Sequence, residues 1–285
     1  MISEKIIFET PIEGYPPFVT LYSKYSRCKI ALHGAHVLSF IPNGGEDILW
    51  LSSKAIYKND KAIRGGIPLC LPWFGGADKP SHGFARVSEW EVVKSGVDDD
   101  GSPFIYLKLE SDEWEYKFSA ELFIEVSDVL KLELTMTNLD EKAFTFTEAL
   151  HTYFNISDVK NVSLTGLDGV KYIDSLDGDS EKIQRGFIEI DAEIDRIYQD
   201  TEDDCIIADK GYNRKISITK VNSKSTVVWN PWIDKSSSMV DFDAGGYQKM
   251  LCVESANIGD EEIVLQSGEK HSMKVTIGEF YFILK

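Results

Sequence analysis

In DVLKLELTMTNL (128–139), Leu130, Leu132, Leu134 and Met136 alternate with Lys131, Glu133, Thr135 and Thr137. The preceding run YKFSAELFIEVS alternates likewise, with Tyr116, Phe118, Ala120, Leu122, Ile124 and Val126 on one side, and KHSMKVTIGEF repeats the pattern further on. A period of two sends successive side chains to opposite faces of an extended chain, so these segments predict half-buried antiparallel strands. RCKIALHG, HVLSFIP, DILWLS, PFIYLKLES, RKISITKV and STVVWN are further candidates. Turn chemistry separates them: NGG at 43–45, DDDGSP at 98–103 and NLDE at 138–141. The best helical stretch, SEKIQRGF, is short and lacks an apolar stripe of period 3.6. The predicted fold class is all-β, a large antiparallel β-sandwich. No linker rich in Pro, Ser or Gly divides the chain, so residues 1–285 are expected to form one domain.

Hydrophobic residues make up 43% of the chain, enough for a sizeable core. The net charge of −17 argues against nucleic acid or an anionic membrane surface as partner, since both need clustered Lys and Arg. A small phosphorylated ligand stays possible where a local cationic pocket opposes the global field. The opening MISEKIIFETPIEGY has neither a basic start nor a long apolar stretch, and no run approaches the roughly 18 apolar residues of a membrane span. A soluble, cytoplasmic protein is expected, with a monomer favoured over an oligomer. Cys28, Cys70, Cys205 and Cys252 are widely separated and form no CxxC pair, so reduced, mostly buried thiols are expected. The histidines form no HxxxH or HExxH, and His33 and His36 stand apart from other ligand types. No metal and no cofactor are expected.

Two of the six arginines, Arg64 and Arg86, bracket RGGIPLCLPWFGGADKPSHGFAR, a stretch of glycines, prolines and aromatics unsuited to helix or strand. Arginine's planar fork matches phosphate oxygens bidentately, and glycines let backbone NH groups approach an anion. The competing reading is a surface loop whose arginines pair with some of the 47 carboxylates. In AFTFTEALHTYFNIS (143–157), alternation sets Phe144, Phe146, Leu150, Phe154 and Ile156 on one face, and Thr145, Thr147, Ala149, His151, Tyr153 and Asn155 on the other. His151 therefore faces either a polar groove or plain solvent. Glu148 falls on the phenylalanine face, which alternation does not explain without a bulge. Glu254, in YQKMLCVESAN, is a carboxylate inside an apolar strand, either a general base or half of a structural ion pair. Asp195, beside Arg196, reads on its own as a solvated turn. Trp73, Phe74, Phe84, Trp229, Trp232 and Phe242 are either sugar-stacking faces or core.

RGGIPLCLPWFG, SHGFAR followed by Trp, EALHTYF, WNPW-x-DK with a following MVDF, and GYQKMLCVESAN come in an order and spacing that resembles the hexose-6-phosphate mutarotases. These are glucose-6-phosphate 1-epimerases, a branch of the aldose 1-epimerase superfamily. The similarity runs from about residue 20 onward. It implies a β-sandwich of the galactose mutarotase-like type with a groove on one sheet and a sugar phosphate as substrate. Carried over, His151 and Glu254 are the catalytic pair, with Glu254 as base and protonated His151 as acid. Arg64 and Arg86 fall in the phosphate region, Asp195 holds sugar hydroxyls, and His82 matches a second groove histidine. Some relatives carry a substrate-contacting glutamine where this chain has Ser81, which is left out of the expected site. A non-catalytic carbohydrate-binding protein and a mutarotase of neutral aldoses remain the alternatives.

Overall fold

The computed structural model describes residues 4–9, 13–76, 80–112 and 114–281. Its strands pair antiparallel in two eight-stranded sheets, flanked by smaller ones. The first large sheet runs in the order Ser180–Ile183, Lys171–Asp174, Ile194–Tyr198, Ser225–Asn230, Met250–Asn257, Glu148–Leu150 and Leu69–Cys70, and Tyr153–Asn155 also pairs with Met250–Asn257. The second runs Val162–Thr165, Cys205–Asp209, Arg214–Val221, Lys270–Tyr281, Val129–Asn138, Phe118–Val126, Pro103–Ser111 and Glu91–Val97. A four-stranded sheet is formed by Lys5–Phe8, Phe18–Tyr22, Ser26–Ala31 and His36–Pro42. This is the all-β architecture that the alternation predicts.

The period of two decides what each strand buries. Phe118, Ala120, Leu122, Ile124 and Val126 are fully buried, and Leu130, Leu132, Leu134 and Met136 join them from the next strand. They meet Leu150, Phe154, Tyr198, Val228, Leu251 and Val253 of the other large sheet in one core. At about 25 cal/mol per Å² of apolar surface removed from water, this shared interior is the main driving force for folding. The central strands of the first sheet, Ser225–Asn230 and Met250–Asn257, are buried on both faces. Their second face lines the groove described below.

Two local expectations are corrected, for DILWLS and for AFTFTEALHTYFNIS, and SEKIQRGF gains an assignment. DILWLS forms no strand; Leu49 and Leu51 make only isolated bridges to Phe154 and Gly65. Asp47 turns the chain there, its Oδ1 accepting from the backbone NH groups of Phe40 (3.0 Å) and Leu49 (2.9 Å). SEKIQRGF opens as a sheet-edge strand, Ser180–Ile183, and the α-helix of the described residues is Trp232–Ser238, which follows Pro231. AFTFTEALHTYFNIS is three short strands rather than one, Phe144–Phe146, Glu148–Leu150 and Tyr153–Asn155, and the first pairs with Ile263–Leu265.

Glu148 thereby gains an explanation without a bulge. It is fully buried, 3.0 Å from His271 Nε2, and accepts 2.8 Å from Asn257 Nδ2. Burial pulls the His271 pKa down, but Glu148 outweighs it and raises the pKa above the ordinary value. A histidine with a raised folded pKa contributes stability that is fully present below about pH 6.5 and fades as pH rises through the folded pKa. Thermal melts of the wild type and His271→Gln across pH 5.5–9 should show a gap that is widest at the acidic end and closes above pH 6.5. A constant gap would remove the titrating pair from the account.

Candidate active site

The first large sheet places the site by register. Asp195 lies opposite Trp229, Trp229 opposite Cys252, and Cys252 opposite Tyr153, so one row of side chains crosses four strands on the groove face. The next row carries Ile197, Val227 and Glu254. Both Glu148–Leu150 and Tyr153–Asn155 pair with Met250–Asn257, Leu150 with Ser255 and Tyr153 with Cys252. The same register carried through the gap sets His151 opposite Glu254. His151 is pinned on its other edge by its backbone NH, which donates to the Pro68 carbonyl (3.0 Å).

His151 Nδ1 lies 3.2 Å from Glu254 Oε1, and both side chains are buried. A solvent-facing histidine is therefore ruled out. The imidazole stacks on Tyr153 at 4.8 Å and meets Trp229 and His82 edge-on. Burial, reinforced by His82 and by the positive charges of Arg86 and Arg64, holds the His151 pKa well below its usual value. Burial, then the negative charge of Asp195, pushes Glu254 well above the carboxylate range, against a smaller lowering pull from Arg86. Both shifts run toward the uncharged forms, a neutral imidazole and a protonated carboxyl, and away from an ion pair.

Arg64 and Arg86 both reach this groove. Arg64 Nε donates to Asp241 Oδ2 (3.2 Å) and its Nη1 to the Tyr153 hydroxyl (3.0 Å), while Arg86 Nη2 donates to the Ser81 carbonyl (2.5 Å). The backbone around Arg64 requires glycine. Gly66 has φ +62°, and a Cβ there would stand 2.2 Å from the Val37 carbonyl oxygen and 2.8 Å from His36 Nε2. His36 is itself fully buried, lowered to about 3 by that burial, so its neutral ring donates from Nε2 to the Gly65 carbonyl (2.6 Å). The LHGAH histidine thus supports the arginine loop. Gly66→Ala should cost more than about 2 kcal/mol of stability. Gly44→Ala, also at positive φ (+77°) but in open space, should cost about 1 kcal/mol. Denaturant midpoints compare the two, and equal losses would contradict close packing at Gly66.

His82, at φ +59°, accepts from the Gly75 backbone NH through Nδ1 (3.3 Å) and is lowered to about 4, chiefly by burial and then by the two arginines. Asp195 is half-buried on a strand, not in a solvated turn. Lys235 Nζ stands 3.1 Å from Glu193 and 3.7 Å from Asp195. Burial raises the Asp195 pKa against the lowering pull of Lys235. Together these side chains line a cavity of about 740 Å³, within the range for small-molecule sites, with Phe74, Thr147, Tyr153, Ser175, Trp229 and Lys235 among the walls. Ser81 also lines it, but its hydroxyl donates to the Gly75 carbonyl (3.2 Å). Residues 77–79, inside the arginine stretch, lie outside the described residues.

The cavity thus brings together all six residues singled out from the sequence: Arg64, His82, Arg86, His151, Asp195 and Glu254. Alternation had set Tyr153 and Thr147 beside His151 on the face read as a groove floor, whereas no signal in the sequence marked Ser175 as a lining residue. Donor atoms of His151, Cys252 and Glu254 lie within 4.8 Å of one another, a set that could hold a metal ion. Burial raises the Cys252 thiol well above its ordinary pKa, which disfavours the thiolate that a metal would bind. The arrangement fits proton transfer better: a donor, an acceptor and an anion-binding wall around one small polar ligand. All four cysteines are buried free thiols, and among the described residues no helix is long and apolar enough to cross a membrane.

The aldose 1-epimerase family profile matches residues 17–278. An Escherichia coli (strain K12) protein named "Putative glucose-6-phosphate 1-epimerase" is 35% identical over 253 residues, covering 86% of this chain and 84% of its own. A Cenchrus ciliaris protein of the same name is 35% identical over 291 residues, covering 95% and 86%. A crystal structure of a "putative mutarotase" from Salmonella typhimurium superposes with a TM-score of 0.89 at 30% identity, covering 98% of this chain and 97% of that one. A galactose mutarotase-like protein from Clostridium acetobutylicum, 16% identical, shares the fold with a TM-score of 0.78 over 98% and 99%.

Proposed function

The chain belongs to the aldose 1-epimerase family, and on that premise we propose that it interconverts the α and β anomers of hexose 6-phosphates, chiefly glucose 6-phosphate. The observation that carries this reading is the pairing of His151 and Glu254 at 3.2 Å in a cavity that also holds two arginines. The names of the relatives support the phosphorylated substrate.

Anomerisation needs the ring to open. One group takes the proton of the C1 hydroxyl while another protonates the ring oxygen, breaking the C1–O5 bond and leaving an open-chain aldehyde. Rotation about C1–C2 and the reverse transfers close the ring on its other face. The pair starts with one proton, on Glu254. Transfer across the 3.2 Å contact to His151 Nδ1 makes Glu254 the base and leaves the imidazolium to donate from Nε2. After opening, Glu254 again holds a proton and His151 is neutral, so no proton is drawn from solvent. A phosphate monoester on the arginines offsets the positive field of Arg64 and Arg86 that disfavours imidazolium, which couples anchoring to acid strength. Asp195 and Lys235 hold sugar hydroxyls in this reading, and His82, lowered by burial, stays neutral beside His151. Each positioned proton-transfer group is typically worth about 10²–10⁴ in rate. That range is ample for a reaction that also proceeds unaided in water.

Exchange NMR on an equilibrium mixture of glucose 6-phosphate anomers tests the activity. Catalytic protein should add magnetisation exchange between the two anomeric signals. Binding without added exchange would assign the chain to carbohydrate recognition instead.

A further inference from the structure

Asp241 poses a physical problem. It puts a carboxylate, only 16% exposed, against Arg64 in the wall proposed to bind a dianion, where its charge opposes the ligand. Purely as a charge it weakens phosphate binding. We propose that Asp241 is a positioning residue for phosphate recognition, fixing the Arg64 guanidinium in one orientation at the cavity wall. This rests on the hexose 6-phosphate reading above.

Both ends of the clamp are built independently. The Arg64 backbone is set by the Gly65–Gly66 packing, and its carbonyl accepts from the Ser52 backbone NH (3.1 Å). The loop carrying Asp241 is docked by its neighbours. Phe242 packs on Trp50 with ring centroids 4.7 Å apart, and Asp243 accepts from Ser53 through the backbone NH (3.0 Å) and the hydroxyl (2.5 Å). A Cβ at Gly246 would come within 2.9 Å of Phe242 and 3.0 Å of Trp50, so the loop sits close against the wall. Asp241 then takes Nε and Tyr153 takes Nη1, leaving Nη2 without a partner among the described residues. A free arginine side chain loses rotamer freedom when it is fixed against an anion. A guanidinium already held at two nitrogens loses little more on meeting an anion.

Substitution separates orientation from charge. Asp241→Ala removes both the clamp and the opposing charge, whereas Asp241→Asn removes the charge but keeps a side-chain oxygen that accepts from Nε. Positioning predicts that Asp241→Ala raises KM for glucose 6-phosphate about tenfold, with kcat within about threefold of wild type. The inhibition constant of inorganic phosphate should rise in parallel. Asp241→Asn should return both values to the wild-type level or below. Lower KM in both variants would show that Asp241 acts only as an opposing charge and overturn the proposal. So would an equal rise in both variants that extends to turnover of unphosphorylated glucose, the mark of a general loop defect. Wild-type protein that does not prefer the phosphorylated sugar removes the underlying reading, and that is visible before any variant is made.

Discussion

Glu254→Gln is expected to lower kcat for hexose 6-phosphate anomerisation by about 10²–10⁴-fold while KM changes little. The amide fills the same space opposite Val227 and His151 but can neither deliver nor accept the proton that the pair must pass. Stability should hold or rise. The wild-type carboxyl is buried with an unpartnered Oε2 and an adverse pKa, a cost tolerated at active sites and relieved by neutral replacements. Steady-state kinetics and a melting curve on the same sample check both halves. Near-normal turnover in a folded Glu254→Gln protein would remove Glu254 from the chemistry.

Arg64→Ala is expected to act on the other parameter. It removes a charge-assisted contact to the phosphate and strands the half-buried Asp241 carboxylate, so KM for glucose 6-phosphate should rise about 10²-fold, a loss near 3 kcal/mol. Because the guanidinium holds the substrate away from the reacting bonds, kcat should fall far less than for Glu254→Gln. Kinetics on glucose provide the internal contrast, since an unphosphorylated sugar makes no use of the anchor. Equal losses for the two sugars would recast Arg64 as a structural residue that supports Tyr153.

The sheets were legible because their strands alternate. Arg214–Val221 and Ser225–Asn230 coincide with segments marked from the sequence, the first alternating buried and half-buried positions around Ile216 and Ile218, the second carrying the β-branched run Thr226, Val227 and Val228 and buried throughout. The helix Trp232–Ser238 was not legible, for WIDKSSS has no apolar stripe and its position depends on Pro231 and the sheet before it. His151 and Glu254 could be singled out one at a time, as a histidine facing away from the phenylalanines and an acid among apolar residues. Their meeting is a matter of register between strands about a hundred residues apart, which no local pattern encodes. The same holds for Arg64 and Asp241, 177 positions apart, and for the Glu148–His271 pair. The shifted pKa values were not legible for a related reason. A histidine read on its own suggests a pKa near 6.5, but the enclosing Tyr153 and Trp229 rings and the two arginines become visible only when the sheet is assembled.

The most direct test follows the optical rotation of freshly dissolved α-glucose 6-phosphate beside α-glucose, each with and without the protein. The account predicts strong acceleration for the phosphorylated sugar and little for the neutral one, since both the proton-sharing pair and the arginine anchor are then engaged. Equal acceleration of the two sugars would contradict the anchor. No acceleration of either would contradict the assignment of His151 and Glu254 as an acid–base pair.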